Sequence, residues 1–225
     1  RTVTGVQTCA LPISVRAGLA VGSAPTGLLA LAYNTIDERG SATTLAAATV
    51  VAQIEYLQAQ GFRFLSVRDV AAANRHHTPL PSPAALLIVR GAPASFETVT
   101  LPLLEAYALP SVVAIPTAEM ESGPSAEKDA PRLTGPRIAA LARHPLLAIA
   151  SQTHALNQPI AGNPQGARLP AAVTCAYRPD AGRYETIAEY ADRISADLNT
   201  SRSRLQEFTD RLVDVLVRSE EHTSE

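Results

Sequence analysis

Polar side chains that could contact a ligand follow the strand-like segments of the chain. They are Asn34, Arg90, Gln152, Thr153 and Asn157. Carboxamides, a hydroxyl and a guanidinium can exchange hydrogen bonds with hydroxyl and amide groups of a neutral ligand. The set holds no carboxylate and no imidazole, the groups on which general-base catalysis and metal-assisted hydrolysis depend. These residue types are suited to hydrogen bonding with a ligand.

The elements that must position these side chains alternate between apolar strands and helices. Strand-length apolar runs occupy residues 28–33, 62–65, 84–89, 111–115 and 146–150. Helical patterns occupy residues 46–60, 67–74, 95–107 and 137–143, and a long amphipathic pattern covers residues 184–217. Gly61 is a helix-stop signal, Ser66 and Thr134 are predicted N-caps, and Pro102 is a flaw in the third helical pattern.

This alternation predicts parallel βαβ units, arranged either as a barrel or as a doubly wound sheet. Periodicity alone does not choose between the two architectures. In both, ligand-binding residues lie just past the carboxyl ends of strands. We therefore expect any functional site to involve the residues that follow positions 33, 89 and 150.

Five segments of the chain carry a resemblance to a known family. They read AYNTI (32–36), LLIVRGAPASF (86–96), IASQTHALN (149–157), GNPQGARLPAAV (162–173) and RYETIAEYADRISADL (183–198). In this order the chain resembles the deacetylase domain of poly-β-1,6-N-acetylglucosamine N-deacetylases, in the polysaccharide deacetylase family, over about residues 30–210. The resemblance implies an α/β fold, an incomplete (β/α) barrel of the polysaccharide deacetylase type. It also implies a periplasmic or outer-membrane-associated place in exopolysaccharide processing.

The family's catalytic positions carry different residues in this chain. The family has an Asp-Asp pair and a Ser-His-Thr-x-x-x-His motif. The first Asp is the general base, and the second Asp and both His residues hold a divalent metal such as zinc. Here Arg90 stands at the base position, and Gly91, Gln152 and Asn157 stand at the ligand positions. We therefore expect no catalytic residue, no metal and no cofactor.

Other residues leave a narrower alternative open. His154 and Glu97 could contribute to a displaced metal site, although a third ligand with suitable spacing is missing. His154 is more simply interpreted as a structural or solvent-facing residue. Tyr184 and Tyr190 are interpreted as packing residues rather than sugar-stacking platforms.

The two ends of the chain fit no fold pattern. The DNA segment AGATCGGAAGAGCACACGTCTG encodes residues 218–224 and the start of residue 225, and its reverse complement encodes residues 7–13. We therefore interpret residues 1–13 and 218–225 as translated adapter sequence. Residues 14–217 are expected to form a truncated deacetylase-like domain that lacks the last strands of the family's barrel.

Composition excludes some partners and leaves others open. The formal net charge is -2 and the basic residues are scattered, which gives no support for nucleic-acid binding. Gly and Pro interrupt the apolar run at residues 18–31, so no transmembrane segment is expected. The partners that the resemblance implies are a β-1,6-linked N-acetylglucosamine polymer and proteins of the export machinery.

Three functions remain open from sequence. The first is an inactive domain that at most binds glycan, and the second is an active metal-dependent de-N-acetylase with a displaced site. The third is a structural or interaction domain of the export assembly. The fold cannot decide among them, because function depends on the site.

Overall fold

The computed structural model describes residues 27–91, 93, 95–120, 134–209 and 213–218. The strands are β1 (Leu28–Tyr33), β2 (Ile36–Asp37), β3 (Leu45–Ala46), β4 (Arg63–Phe64), β5 (Ala84–Arg90), β6 (Ser111–Ile115), β7 (Leu147–Ser151), β8 (Pro159–Ala161), β9 (Arg168–Pro170), β10 (Tyr177–Arg178) and β11 (Arg183–Tyr184). The helices are α1 (Ala47–Ala59), α2 (Val67–His76), α3 (Leu101–Ala106), α4 (Gly135–Ala142) and α5 (Ile187–Thr209). A π-helical turn at Phe96–Thr100 leads into α3, and 3-10 turns lie at Thr117–Met120 and Pro179–Ala181.

The main sheet has the strand order β1-β5-β6-β7, and β4 pairs with the start of β5. β1 and β4 both run parallel to β5. The register of β1 on β5 ends with Tyr33 opposite Val89. Among the described residues the strands form an open sheet and not a closed barrel. The predicted α/β fold with an incomplete barrel is confirmed.

Local signals explain where several helices begin. The Ser66 hydroxyl accepts from the Asp69 N–H, and the Asp69 carboxylate accepts from the Ser66 N–H, so the predicted N-cap is a full capping box. Thr134 occupies the N-cap position of α4, but its side chain makes no capping hydrogen bond. Pro102 lies in the first turn of α3. Backbone N–H groups in the first turn of a helix have no acceptor within that helix, so proline, which lacks an N–H, is tolerated there. The predicted helix at residues 95–107 is therefore divided between the π-helical turn and α3.

The chain separates into two compact units, the first made of residues 1–113 and 144–148. The described part of this unit includes β1 to β5, α1 to α3, and the first residues of β6 and β7. The apolar side chains of its core are aliphatic, apart from those of Tyr33 and Phe96. The largest fully buried side chains are Ile36, Val50, Ile54, Leu87, Val89, Phe96, Leu104, Leu109 and Val112.

The second unit comprises residues 114–143 and 149–225. Its described part includes the last residues of β6 and β7, α4, two short antiparallel hairpins and α5. The hairpins pair β8 with β9 and β10 with β11. Ile115, Ile138 and Leu205 are its largest fully buried apolar side chains.

The predicted helix at residues 184–217 is wrong at both ends. α5 spans Ile187–Thr209, and residues 213–218 are extended instead of helical. Ser151 forms a parallel bridge with Leu216, with Ser151 N–H donating to Val215 O at 2.9 Å and Val217 N–H donating to Ser151 O at 2.8 Å. The segment alternates between buried or half-buried valines and exposed residues, which is the period of a strand.

No helix within the described ranges combines the length and hydrophobicity that crossing a membrane needs. The segments interpreted as adapter sequence, residues 1–13 and 218–225, lie outside the described residues except for residue 218.

Candidate functional site

Asn34 and Arg90 lie at the carboxyl ends of neighbouring parallel strands in the first unit. Each stands one position beyond the paired residues Tyr33 and Val89. Asn34 is exposed and Arg90 is half-buried. The Tyr33 hydroxyl donates to Gln53 Oε1 at 2.7 Å, which fixes the side chain at the end of β1. The two predicted groove residues of this unit are therefore brought together.

The other three predicted groove residues lie in the second unit, in the loop that follows β7. We call residues 152–157 the amide loop. The loop is held at both sides by backbone hydrogen bonds: Thr117 N–H donates to Thr153 O, and Ala118 N–H donates to His154 O, each at 3.2 Å. The Asp197 carboxylate of α5 accepts from the N–H groups of His154 and Ala155, each at 2.7 Å. The amide loop is therefore fixed between a 3-10 turn and a helix.

Thr153 carries backbone strain. Its φ is 72°, in the left-handed region that β-branched residues rarely adopt, and the residue is 7% exposed. The Thr153 N–H donates to the Ser151 hydroxyl at 3.0 Å, and that hydroxyl also lies 2.7 Å from the Ser201 hydroxyl. Strain of this kind costs about 1–3 kcal/mol and is concentrated at functional sites.

Asn157 has one satisfied and one unsatisfied side-chain atom. Its Nδ2 donates to Glu119 Oε1 at 3.2 Å. Its Oδ1 is buried and finds no hydrogen-bond partner among the described residues, and the same holds for Thr153 Oγ1. A buried polar atom that lacks a partner costs about 1–3 kcal/mol. Gln152, in the same loop, is also buried, with 6% of its surface exposed.

His154 has a structural contact. Its Nδ1 lies 3.0 Å from the Thr117 hydroxyl, which agrees with the structural interpretation of this residue. Glu97, its suggested partner in a displaced site, lies in the π-helical turn of the first unit. Within the described ranges, His, Cys, Asp and Glu side chains form no group of three or more that could hold a metal ion.

A buried ion pair holds the segment between the two hairpins. Glu185 is 6% exposed, and its carboxylate accepts from Arg193, Arg178 and the Ala176 N–H. Burial raises the pKa of Glu185, but the hydrogen bonds from Arg193 and Ala176 outweigh it, so the pKa lies below its usual value.

Two tyrosines lie beside this ion pair. The Tyr190 hydroxyl donates to Ala172 O at 2.6 Å, and Arg193 lies over its ring, so its packing role is confirmed. Tyr184 is 48% exposed and meets Tyr177 edge to face.

Several residues that organise this site were missed from sequence. Glu119 lies four residues after the end of β6, so the rule that ligand-binding residues follow strands could have found it. The resemblance pointed to the α5 segment, but no local pattern shows that Asp197 binds the amide loop. Glu185 and Arg193 are eight residues apart and are joined only through the fold.

The residues that the resemblance aligns with the family's metal positions are poor ligands for a divalent metal. Gly91 offers no side-chain donor, and Arg90 brings a permanent positive charge to the base position. Gln152 and Asn157 offer neutral amide oxygens in place of imidazoles, and the Asn157 amide nitrogen is already committed to Glu119.

The known proteins to which this chain is similar include N-deacetylases. The chain is 29% identical, over 183 residues, to a poly-β-1,6-N-acetyl-D-glucosamine N-deacetylase of Escherichia coli K12. A de-N-acetylase from Aggregatibacter actinomycetemcomitans superposes with a TM-score of 0.75 at 24% identity, over 85% of this chain and 78% of that one. The BpsB deacetylase domain from Bordetella bronchiseptica superposes with a TM-score of 0.71 at 27% identity, over 83% and 78%.

The fold is that of the polysaccharide deacetylases. The resemblance to the poly-β-1,6-N-acetylglucosamine enzymes that the motifs indicated is confirmed in sequence and in fold. No family model matches the chain. The alignment with the Escherichia coli relative covers 76% of this chain and about a quarter of the relative, 27%.

Proposed function

We propose that this chain is a polysaccharide-deacetylase-type domain that binds poly-β-1,6-N-acetylglucosamine without hydrolysing it. Its place is the periplasm or the outer membrane, in the processing and export of an exopolysaccharide that supports biofilm. The proposal combines the family resemblance with the replacement of the catalytic groups. It treats the chain as a pseudoenzyme that retains the scaffold of the family.

The observation that carries the proposal is the state of the amide loop. The loop is held by hydrogen bonds to β6, to the 3-10 turn at Thr117–Met120 and to α5, including the bond from Asn157 to Glu119. It is therefore a formed structure, and not a decayed remnant of a catalytic loop. Its side chains present amide and hydroxyl groups where metal-assisted hydrolysis needs imidazoles.

Glycan contacts are proposed in each unit. In the first, Asn34 and Arg90 offer an amide and a guanidinium at adjacent strand ends. In the second, Gln152, Thr153 and Asn157 offer amide and hydroxyl groups from the amide loop. Such groups recognise sugar hydroxyl and N-acetyl groups by hydrogen bonding, with modest affinity.

Isothermal titration with β-1,6-linked N-acetylglucosamine oligomers tests the binding. We expect saturable binding, weakened about threefold in Asn34→Ala, because one exposed hydrogen bond contributes about 0.5–1.5 kcal/mol. Asn74→Ala removes the same side chain from an exposed position on α2 and should leave the affinity unchanged. If no oligomer binds and a stable protein partner is found instead, the chain is an interaction domain.

Release of acetate from the same oligomers tests the loss of hydrolysis. We expect none above the protein-free rate, with or without added zinc. Chelator-sensitive acetate release by the purified chain would establish the alternative, an active de-N-acetylase with a displaced site. A mutant of a displaced ligand, His154→Ala, should then abolish the release.

A further inference from the structure

The hairpin formed by β10 and β11 has two chemically different faces. Its antiparallel register places Tyr177 opposite Tyr184. The next residues toward the turn, Arg178 and Arg183, are also opposite each other. Because side chains alternate along a strand, the tyrosines lie on one face of the hairpin and the arginines on the other. The two tyrosine rings meet edge to face with their centroids 5.3 Å apart, and we call them the tyrosine pair.

The arginine face of this hairpin is bound to α5 and to the residue that precedes it in the chain by two positions. Arg178 Nη2 lies 3.4 Å from Glu185 Oε1, and the Glu185 carboxylate also accepts from Arg193 of α5. Arg183 donates two hydrogen bonds, of 2.7 and 2.8 Å, to the Glu189 carboxylate of α5. Since the arginine face is directed toward α5, the tyrosine pair is directed away from it.

The tyrosine pair is accessible and held in place before any ligand binds. Tyr184 is 48% exposed, and Tyr177 is half-buried. In an edge-to-face pair, the ring that contributes its edge keeps both of its own faces clear of the other ring. The ion pairs on the opposite face of the hairpin fix its backbone, so the ordering cost at binding is small. The pair therefore offers a preformed aromatic surface to a ligand.

The hairpin and the amide loop are anchored to the same helix. Arg193 binds Glu185 behind the hairpin, and Asp197 binds two N–H groups of the amide loop. Arg193 and Asp197 are four residues apart in α5, so they lie on one face of the helix and about 6 Å apart along its axis. The tyrosine pair is therefore attached one helical turn away from the proposed glycan contacts of the amide loop.

We propose that the tyrosine pair binds pyranose rings of the β-1,6-linked N-acetylglucosamine polymer by stacking. In the chair form of a β-linked glucosamine unit the ring substituents are equatorial, so both faces of the sugar ring present C–H groups. These hydrogens carry a small positive charge, which matches the negative face of an aromatic ring. The inference rests on the proposed function and adds to it an aromatic contact outside the amide loop. It replaces the interpretation of Tyr184 as a packing residue.

Tyrosine substitutions, combined with isothermal titration of β-1,6-linked N-acetylglucosamine oligomers, test the proposal. Tyr184→Ala should weaken binding at least about fivefold, because it removes the more exposed ring. Tyr184→Phe keeps the ring and should bind within about twofold of the parent chain. Tyr56→Ala is the matched control. Tyr56 is also 48% exposed but belongs to α1 in the first unit, so its removal should leave the affinity unchanged.

Proton spectra of the oligomer test the stacking geometry directly. An aromatic ring shifts protons that lie over its face upfield, so the ring C–H protons of the bound sugar should move upfield in the parent chain and in Tyr184→Phe. Tyr184→Ala should abolish most of this shift. A merely structural role of Tyr184 would produce no upfield shift. If Tyr184→Ala lowers the melting temperature, Tyr184→Leu takes its place, because leucine retains an apolar side chain without an aromatic face, and the same losses are expected.

The remaining outcomes separate this proposal from the proposed function. If the oligomers bind the parent chain and Tyr184→Ala equally well, the stacking site is wrong and the proposed function stands. If no oligomer binds the parent chain, both are wrong. If Tyr184→Ala abolishes binding of a partner protein and leaves the affinity for oligomers unchanged, the tyrosine pair is a protein interface, and the stacking proposal is overturned.

Discussion

Arg193 donates to both carboxylate oxygens of Glu185, with Nε 3.0 Å from Oε1 and Nη2 3.0 Å from Oε2. The same guanidinium donates to Ala171 O at 2.9 Å and Thr174 O at 2.8 Å. One side chain of α5 therefore neutralises a buried carboxylate and fixes the segment between the two hairpins.

Arg193→Met should lower the free energy of unfolding by about 3 kcal/mol, because it leaves the Glu185 carboxylate buried without its main partner. Urea denaturation followed by far-UV circular dichroism measures the change. Arg183→Gln is the matched control, since it breaks an exposed ion pair with Glu189 and should change stability little. Equal losses in the two variants would contradict this account.

The Glu185–Arg193 pair also predicts that the stability of the folded chain depends on pH. The pKa of Glu185 is lowered in the folded chain, so the unfolded state binds the proton more readily. Its contribution to stability is complete above the unfolded pKa and is lost as the pH falls through the lower folded pKa.

Stability measured from about pH 7 downward should therefore begin to fall near about pH 5. Glu185→Gln should make this decline shallower. Hydrogen bonds from Arg183 and from Thr44 also lower the pKa of Glu189 and of Asp37, so part of the decline should remain in that variant. A decline of unchanged steepness would remove Glu185 from the explanation.

Restoring the family's imidazoles should restore affinity for metal. Gln152→His combined with Asn157→His places two imidazoles at the amide-loop positions that the resemblance aligns with the family's metal ligands. We expect the double variant to bind zinc at least about tenfold more tightly than the parent chain, because imidazole is a far better zinc ligand than a carboxamide. A zinc-indicator competition measures this, and Gln158→His with Asn163→His is a control of equal composition outside the loop.

Thr153→Gly and Thr153→Ala together distinguish the effect of backbone strain on stability from the effect of burying the Thr153 hydroxyl. Both remove an unpartnered oxygen, but only glycine adopts a φ of 72° without a steric penalty. We expect the glycine variant to be more stable than the alanine variant by about 1 kcal/mol. A difference of the opposite sign in thermal unfolding would show that Thr153 is not strained.

The core of the fold could be predicted from the sequence because its strands and helices have strong periodic patterns. β1 and β6 lie at the predicted bounds, and Ser66 caps α2 as expected. The strand-like segment at residues 213–218 was missed because four of its six residues are apolar or aliphatic and extend a helical pattern. The alternation between buried Val213 and exposed Asp214 indicates a strand only when it is considered together with the bridge between Leu216 and Ser151.

The candidate site shows the same limit. Arg90, Gly91, Gln152 and Asn157 could be located because the motifs around them survive. Glu119 follows a predicted strand, but nothing in the sequence shows that it binds Asn157, 38 residues away, and no local pattern shows that Asp197 binds the His154 N–H, 43 residues away. Local patterns identify candidate site residues, whereas the residues that hold them in place are set by long-range contacts.

Ser151 joins elements that are far apart in the sequence. Its backbone N–H and C=O are both engaged by residues 215 and 217, while its hydroxyl meets Ser201 and the N–H of Thr153. A protein that displaced residues 213–218 from this position would loosen the residue on which Thr153 depends. Under the proposed function, occupancy of this edge by a neighbouring protein and affinity for glycan would be thermodynamically linked, although the neighbour would not contact the ligand.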